Sequence, residues 1–284
     1  GDHGGVPRMI LVTGATGNAG GGVVNGLLEL GADVRGLVRP GSEGKLPDGV
    51  EAAPADLNDP EALRAPLEGV SAVFLLSGYE GIERALELMR AAGVERVALL
   101  SSSAAPTGDL DNAVARYHIL SERAVRESGL PWTFLQPNSF MSNAFRWLPQ
   151  LERGDVIRGP FGDVAIATID PDDLGAVAAR ALTSGEHEGQ TYRLSGPEAL
   201  RPGEQVAIMA KYTGRDLRFD PQDDDEARTE MEGQMPKEYV DAFFEFFREG
   251  TVDETTVQPT VEQVTGREPR SFADWAEAHT DAFR

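Results

Sequence analysis

Met9-Ile-Leu-Val-Thr-Gly14-Ala-Thr-Gly17-Asn-Ala-Gly20 passes abruptly from an apolar run to a glycine-rich one, and a helical pattern begins near Ala19. A buried strand, a tight turn and a helix are the order this pattern predicts. Gly14 permits the turn and Gly17 lets backbone approach a bound pyrophosphate. Gly20 lets the helix sit close to the strand, and the helix start offers unbonded N–H groups to an anion. Thr16 and Asn18 fall inside the same turn. The spacing is G-x-x-G-x-x-G, not the G-x-G-x-x-G of the usual dinucleotide fingerprint. A dinucleotide site is expected here, with a merely structural turn as the alternative.

Outward from this run, apolar segments alternate with helical ones. Strands are expected at Ala32–Val38, Val50–Ala53, Ser71–Leu76, Arg96–Ser101 and Trp132–Gln136. Between them, helices are expected at Pro60–Leu67, with Asp59 as N-cap, at Gly81–Ala92 and at Asp111–Ser128. Most of the strands are apolar throughout, the mark of a parallel sheet covered on both faces. The expected fold is therefore α/β: a doubly wound parallel-sheet Rossmann fold over residues 9–150. A smaller C-terminal lobe, residues 151–284, would pack on it and complete the sheet. In that second half strands are expected at Val164–Ile169 and Thr191–Leu194, and helices at Pro171–Leu182 and Gln205–Thr213. An acidic stretch, Asp220–Glu232, and a Phe-rich one, Tyr239–Arg248, follow. Residues 1–8 read as an appended segment, with Met9 as the natural start.

Composition narrows the function. The net charge of -21 over 284 residues opposes binding to nucleic acid or to anionic membranes. With no cysteine, disulfides, thiolate metal sites and thiol nucleophiles are excluded, and the four histidines lack metal-ligand spacing, so no metal is expected. No apolar run is long enough for a membrane span. A cytoplasmic protein is the expectation.

The second strand ends at Val38-Arg39, where an acidic residue would bond the ribose 2′-hydroxyl of NAD. Arginine there suits a 2′-phosphate and favours NADP(H), with Lys45 able to assist; a solvated arginine is the bland alternative. With these residues in view, the chain resembles the NmrA-like group of atypical short-chain dehydrogenases/reductases. The likeness is carried by Gly14–Gly20, Val38-Arg39, Ala55-Asp56-Leu57 and Ser101-Ser102-Ser103. It extends through Leu130-Pro-Trp-Thr-Phe-Leu-Gln-Pro-Asn138 to Ser271-Phe-Ala-Asp-Trp275. The resemblance implies that Asp56 and Leu57 border the adenine, Leu76 and Ser77 the ribose, and Pro137 and Asn138 the nicotinamide side. The three serines end a strand at the carboxyl edge, where open α/β sheets bind ligands, so one of them, Ser101 foremost, is expected to face the nicotinamide.

Short-chain reductases commonly use a Tyr-x-x-x-Lys pair as proton donor. Here Tyr117 is followed at the lysine position by Ser121. One residue along, His118 and Glu122 share a helix face as a candidate donor and its orienting carboxylate. Candidate catalytic residues are thus His118, Tyr117, Glu122 and Ser101; the alternative is a helix face without chemistry. Phe140, Met141, Phe145 and Trp147, with Ser102, are the candidate substrate-lining residues, and ordinary core packing is the alternative. Phe243, Phe244, Phe246 and Phe247 are expected in a core or a homodimer contact. The expectation is an NADPH-dependent oxidoreductase acting on a small apolar or aromatic carbonyl, enone, imine or quinone. A non-catalytic NADP-binding sensor is the alternative, and a sugar-nucleotide epimerase a weaker one because its tyrosine–lysine pair is incomplete.

Overall fold

The structure, a computed structural model, describes residues 9–284. The reading of residues 1–8 as an appended segment lies outside the described residues. In chain order the first half contains β1 (Met9–Val12), α1 (Asn18–Glu29), β2 (Asp33–Val38), β3 (Val50–Pro54) and β4 (Val70–Leu76). There follow α2 (Ile82–Ala91), β5 (Arg96–Leu100), α3 (Ala113–Glu127) and β6 (Trp132–Pro137). The second half opens with α4 (Leu148–Leu151), β7 (Val156–Gly159), α5 (Pro171–Thr183), β8 (Thr191–Leu194) and α6 (Pro202–Thr213). It closes with β9 (Arg218–Pro221), α7 (Asp224–Glu232), α8 (Lys237–Phe247), α9 (Thr260–Thr265), α10 (Phe272–Ala278) and α11 (Thr280–Phe283).

Seven strands form one parallel sheet in the order β3-β2-β1-β4-β5-β6-β8. The order reverses between β1 and β4, so the crevice where open α/β sheets bind ligands lies at the carboxyl ends of these two strands. Thr13 stitches that point together. Its hydroxyl donates to the Phe74 carbonyl at 2.8 Å and accepts from the Leu76 amide at 3.1 Å. On one face α1 and α5 cross in close contact. A Cβ at Gly175 would lie 1.9 Å from the Gly22 carbonyl oxygen, and one at Gly26 would lie 2.6 Å from that of Gly175. Only glycine allows backbones this close. The other face carries a core of Leu63, Leu67, Leu86, Met89, Val125 and Phe134.

Two expected elements differ. The helix expected at Pro60–Leu67 is a single 3₁₀ turn, Pro60–Leu63, and Asp59 makes no side-chain cap bond. Pro66 is the cause: its ring would clash with the Ala62 carbonyl and it has no N–H to continue the helix. The strand expected at Val164–Ile169 is reduced to two isolated bridges, Ile166 to Leu200 and Phe140 to Ile169. Its amides go to three different segments: Ile166 to Leu200, Ala167 to Glu254 and Ile169 to Ser139. The second sheet instead pairs β7 with β9, and β9 ends in the first residues of the stretch legible in the sequence only as acidic.

The second half returns α5 and β8 to the main sheet, and its other helices build a separate apolar cluster. There α10 starts with a capping box between Ser271 and Asp274 and buries Phe272 and Trp275. Phe244 packs with Phe161 and Val240, and Phe246 with Ala104 and Ala115 of α3, so the Phe-rich helix is core. No helix is long and apolar enough to cross a membrane among the described residues.

Candidate functional site

The glycine turn is built around Gly14, whose φ of +59° is a left-handed conformation open to glycine. The Gly17 amide donates back to the Gly14 carbonyl at 3.0 Å, and α1 starts from Gly17 with no side-chain cap. Among the described residues, no acceptor is bonded to the amides of Asn18, Ala19 and Gly20. Three N–H groups therefore point out of the N-terminus of a twelve-residue helix, the arrangement that holds a phosphate.

A cleft of about 500 Å³ opens from this turn. Gly14, Thr16, Gly17, Asn18 and Gly20 form its floor, and Arg39, Ser42 and Lys45 stand on one wall. Asp56, Leu57 and Asn58 stand after β3, and Leu76 and Tyr79 after β4. Asp56 turns its own loop by accepting from the Asn58 amide at 2.9 Å. Arg39 is exposed and, among the described residues, has no acidic partner within ion-pair distance, so a cation is available to a ligand. A second depression, of about 640 Å³, lies where α1 and α5 end, beside Leu30, Arg180 and His187, away from the glycine turn.

The residues expected to do chemistry are arranged differently from expectation. His118, 9% exposed, contacts Ser77 through Nδ1 at 2.7 Å. Ser77 has one hydroxyl proton and donates it to the Leu100 carbonyl at 2.7 Å. The Nδ1–H of His118 must therefore donate to Ser77, which leaves Nε2 as a bare acceptor. Burial pushes the His118 pKa down to about 4, so the imidazole is neutral at pH 7 and is not the titrating acid its ordinary pKa would make it. Ser77, expected at the ribose, has its hydroxyl engaged with Leu100 and His118.

Glu122 does not orient His118. It accepts from Ser101 at 2.5 Å and from Gln136 at 3.0 Å, with Arg126 at 3.4 Å, and so ties α3 to β5 and β6. Ser101 is turned inward by that bond and is buried. Ser102 accepts from the Ala104 amide at 2.9 Å. Tyr117 packs on Gly78, and burial raises its pKa. Ser121, where a lysine would stand, accepts from the Gly78 amide at 3.0 Å. The helix that carries an acid in the usual reductases thus bears a neutral histidine and an unassisted tyrosine.

The substrate-lining residues are largely core. Phe145 stacks on Phe283 with ring centroids 5.5 Å apart and meets Trp275 edge-on. Trp147 lies against Phe272 and Phe283, and Met141 is buried in the same cluster. The C-terminal helices, whose partners lie over a hundred residues away, draw these side chains into the lobe. Phe140 packs on the sheet-face core. Pro137 is buried, and the Asn138 side chain donates to the Ala167 and Glu254 carbonyls while accepting from Arg193. Its amide is a brace and has no free donor for a ligand.

Sequence reading missed Thr13, Tyr79 and Glu254. Tyr79 was visible as an aromatic residue just past a strand end. Nothing local marks Glu254 as buried.

A family model described as NAD(P)H-binding matches residues 14–184. The chain is 40% identical over 280 residues to the (4-alkanoyl-5-oxo-2,5-dihydrofuran-3-yl)methyl phosphate reductase of Streptomyces griseus, covering 97% of this chain and 99% of that one. It is 34% identical over 284 residues to an NAD(P)H azoreductase of Xenophilus azovorans, covering 97% and 99%. A solved NADPH-dependent quinone oxidoreductase of Escherichia coli superposes with a TM-score of 0.77 at 25% identity, covering 95% and 99%. The chain belongs to the NAD(P)H-binding family, within the NmrA-like atypical short-chain dehydrogenases/reductases. It is an NAD(P)H-dependent oxidoreductase, and NADP(H) is its cofactor.

Proposed function

We propose that the protein reduces electron-poor conjugated acceptors, such as an azo compound, a quinone or an enone, with NADPH in preference to NADH. The observation that carries this reading is the lack of a competent acid on α3. A saturated ketone needs a proton as the alkoxide forms, and a positioned acid contributes about 10²–10⁴-fold. His118 is neutral and presents a lone pair, while Tyr117 has no cation to lower its pKa. A conjugated acceptor spreads the new charge over its π system and makes a smaller demand on an enzyme acid, smallest for a quinone, whose product is a phenolate that water protonates. The three relatives named above act, by their names, on a butenolide phosphate, an azo group and a quinone, and these are electron-poor π systems.

The cleft fits the cofactor on its own terms. Three free amides and the glycine turn would hold the pyrophosphate, and Arg39 with Lys45 and Ser42 would hold the 2′-phosphate. Bound there, NADPH supplies the hydride.

His118→Ala and Tyr117→Phe should each slow single-turnover NADPH oxidation by a quinone less than about tenfold, short of the 10²-fold that loss of an acid costs at least. His118→Ala should also leave the pH profile unchanged. A hundredfold loss in either variant, with NADPH affinity intact, would return the acid role to α3 and overturn the reading.

A further inference from the structure

At the carboxyl edge of the sheet, across the switch point from the glycine turn, one acidic side chain is unaccounted for. Glu254 lies on the strap between α8 and α9 and is 6% exposed. Its Oε1 accepts from the Ser139 amide, just past β6, and its Oε2 faces the Ser139 hydroxyl at 3.4 Å. The Ser103 hydroxyl, just past β5, lies beside the same carboxyl. The strap is fixed: the Glu254 carbonyl accepts from Ala167 and Asn138, and Thr255 donates to the Ala165 carbonyl at 2.7 Å.

Two features set this carboxyl apart. The other buried carboxylates, Glu122 and Asp170, each have an arginine within ion-pair distance, Arg126 and Arg270. Arg193 of β8 is the cation facing Glu254, and its donors go to Gln136, Asn138 and the Asp253 carbonyl instead. Asp253, the charged neighbour along the strap, turns outward to the amides of Thr255 and Thr256. The second feature is the serine triplet. Ser101 is bonded to Glu122 and Ser102 to Ala104, which leaves Ser103, half-buried, as the one of the three whose hydroxyl lies beside Glu254.

We infer that Glu254 carries a proton at neutral pH and, through the Ser103 hydroxyl, delivers it to the substrate atom that gains charge during reduction. The inference rests on the reductase reading above. Desolvation of its charged form favours the proton on a buried carboxyl with no cation bonded to it, and burial raises the pKa of Glu254 against the opposing pull of the Ser139 and Ser103 donors and the Arg193 charge. A neutral Glu254 donates to the Ser103 hydroxyl, which frees the serine O–H for the substrate. The balance is simple for an azo group. One nitrogen gains the hydride and its electron pair, and the other takes the Ser103 proton as its N–H bond forms. Ser103 recovers a proton from Glu254. The carboxylate left behind, facing Arg193 and the Ser139 amide, is reprotonated from water between turnovers.

The test is the pH profile of NADPH oxidation with methyl red and with 1,4-benzoquinone. A donor works while protonated, so the wild-type azo rate should be high at low pH and fall as pH rises through the pKa of Glu254. Glu254→Gln should be slower by about 10²-fold at low pH, with a flat profile that meets the wild type at high pH. Quinone turnover and NADPH affinity should change little. Ser103→Ala should lose the same alkaline limb, and it decides the matter if Glu254→Gln fails to fold. A brace without proton transfer would lower the melting temperature and leave the limb in place, which would overturn the inference while the reductase reading stands. No NADPH oxidation by the wild type with either acceptor would remove both.

Discussion

Gly20→Val is expected to abolish NADPH binding and to lower the melting temperature, whereas Gly17→Val should abolish binding at almost unchanged stability. The two glycines serve the turn by different physics. A Cβ at Gly20 would stand 2.0 Å from the Gly14 carbonyl oxygen, so the turn itself must open. Overpacking of this kind costs about 1–3 kcal/mol, which in a chain of this size shifts the melting temperature by several degrees. A Cβ at Gly17 meets that oxygen at 3.3 Å, a contact a small shift relieves, and its φ of -81° suits any residue. Its branched side chain would still fill the space before the Asn18, Ala19 and Gly20 amides. Each charge-assisted bond lost there is worth about 10-fold or more in affinity, so at least about 10²-fold should go in both variants. Fluorescence titration with NADPH beside a thermal melt checks both halves. Binding within tenfold of wild type in Gly20→Val would mean that the turn is not the phosphate site.

The second large effect is cofactor choice. Arg39→Ala should weaken NADPH by about 10- to 100-fold and leave NADH nearly unchanged, because a guanidinium bonds the 2′-phosphate with charge assistance. Lys45→Ala should act in the same sense but more weakly, since an ammonium is a point charge without the planar fork. Both cations are on the cleft wall, and both effects should shrink as salt is raised, for exposed charges are screened. Equal wild-type affinity for NADPH and NADH would contradict this assignment.

Much of the first half was legible because its chemistry is local. Strands β1, β4, β5 and β6 are apolar runs bounded by turn residues, and the glycine turn declares itself by spacing. Arg39 followed from counting along the second strand. Pro66 was also in view, and weighing it would have shortened the expected helix at Pro60–Leu67. The second half hid its structure because its segments are completed by distant ones. Residues 164–169 have strand-like composition, yet their amides are shared among Leu200, Glu254 and Ser139. Phe145 and Trp147 read equally as cleft or core until α10 and α11 are known to pack on them. His118 shows the same limit in electrostatics. Its spacing to Glu122 invited a pair, while the contact that fixes its tautomer comes from Ser77, forty-one positions away in the chain.

The most direct measurement is the initial rate of NADPH consumption by the wild-type protein with four acceptors: methyl red, 1,4-benzoquinone, a butenolide ketone and cyclohexanone. The account predicts turnover with the three conjugated acceptors, little or none with cyclohexanone, and a much lower rate when NADH replaces NADPH at the same low concentration. Cyclohexanone reduced as fast as the conjugated acceptors would contradict it, for the site would then support a localised alkoxide as readily as a delocalised anion.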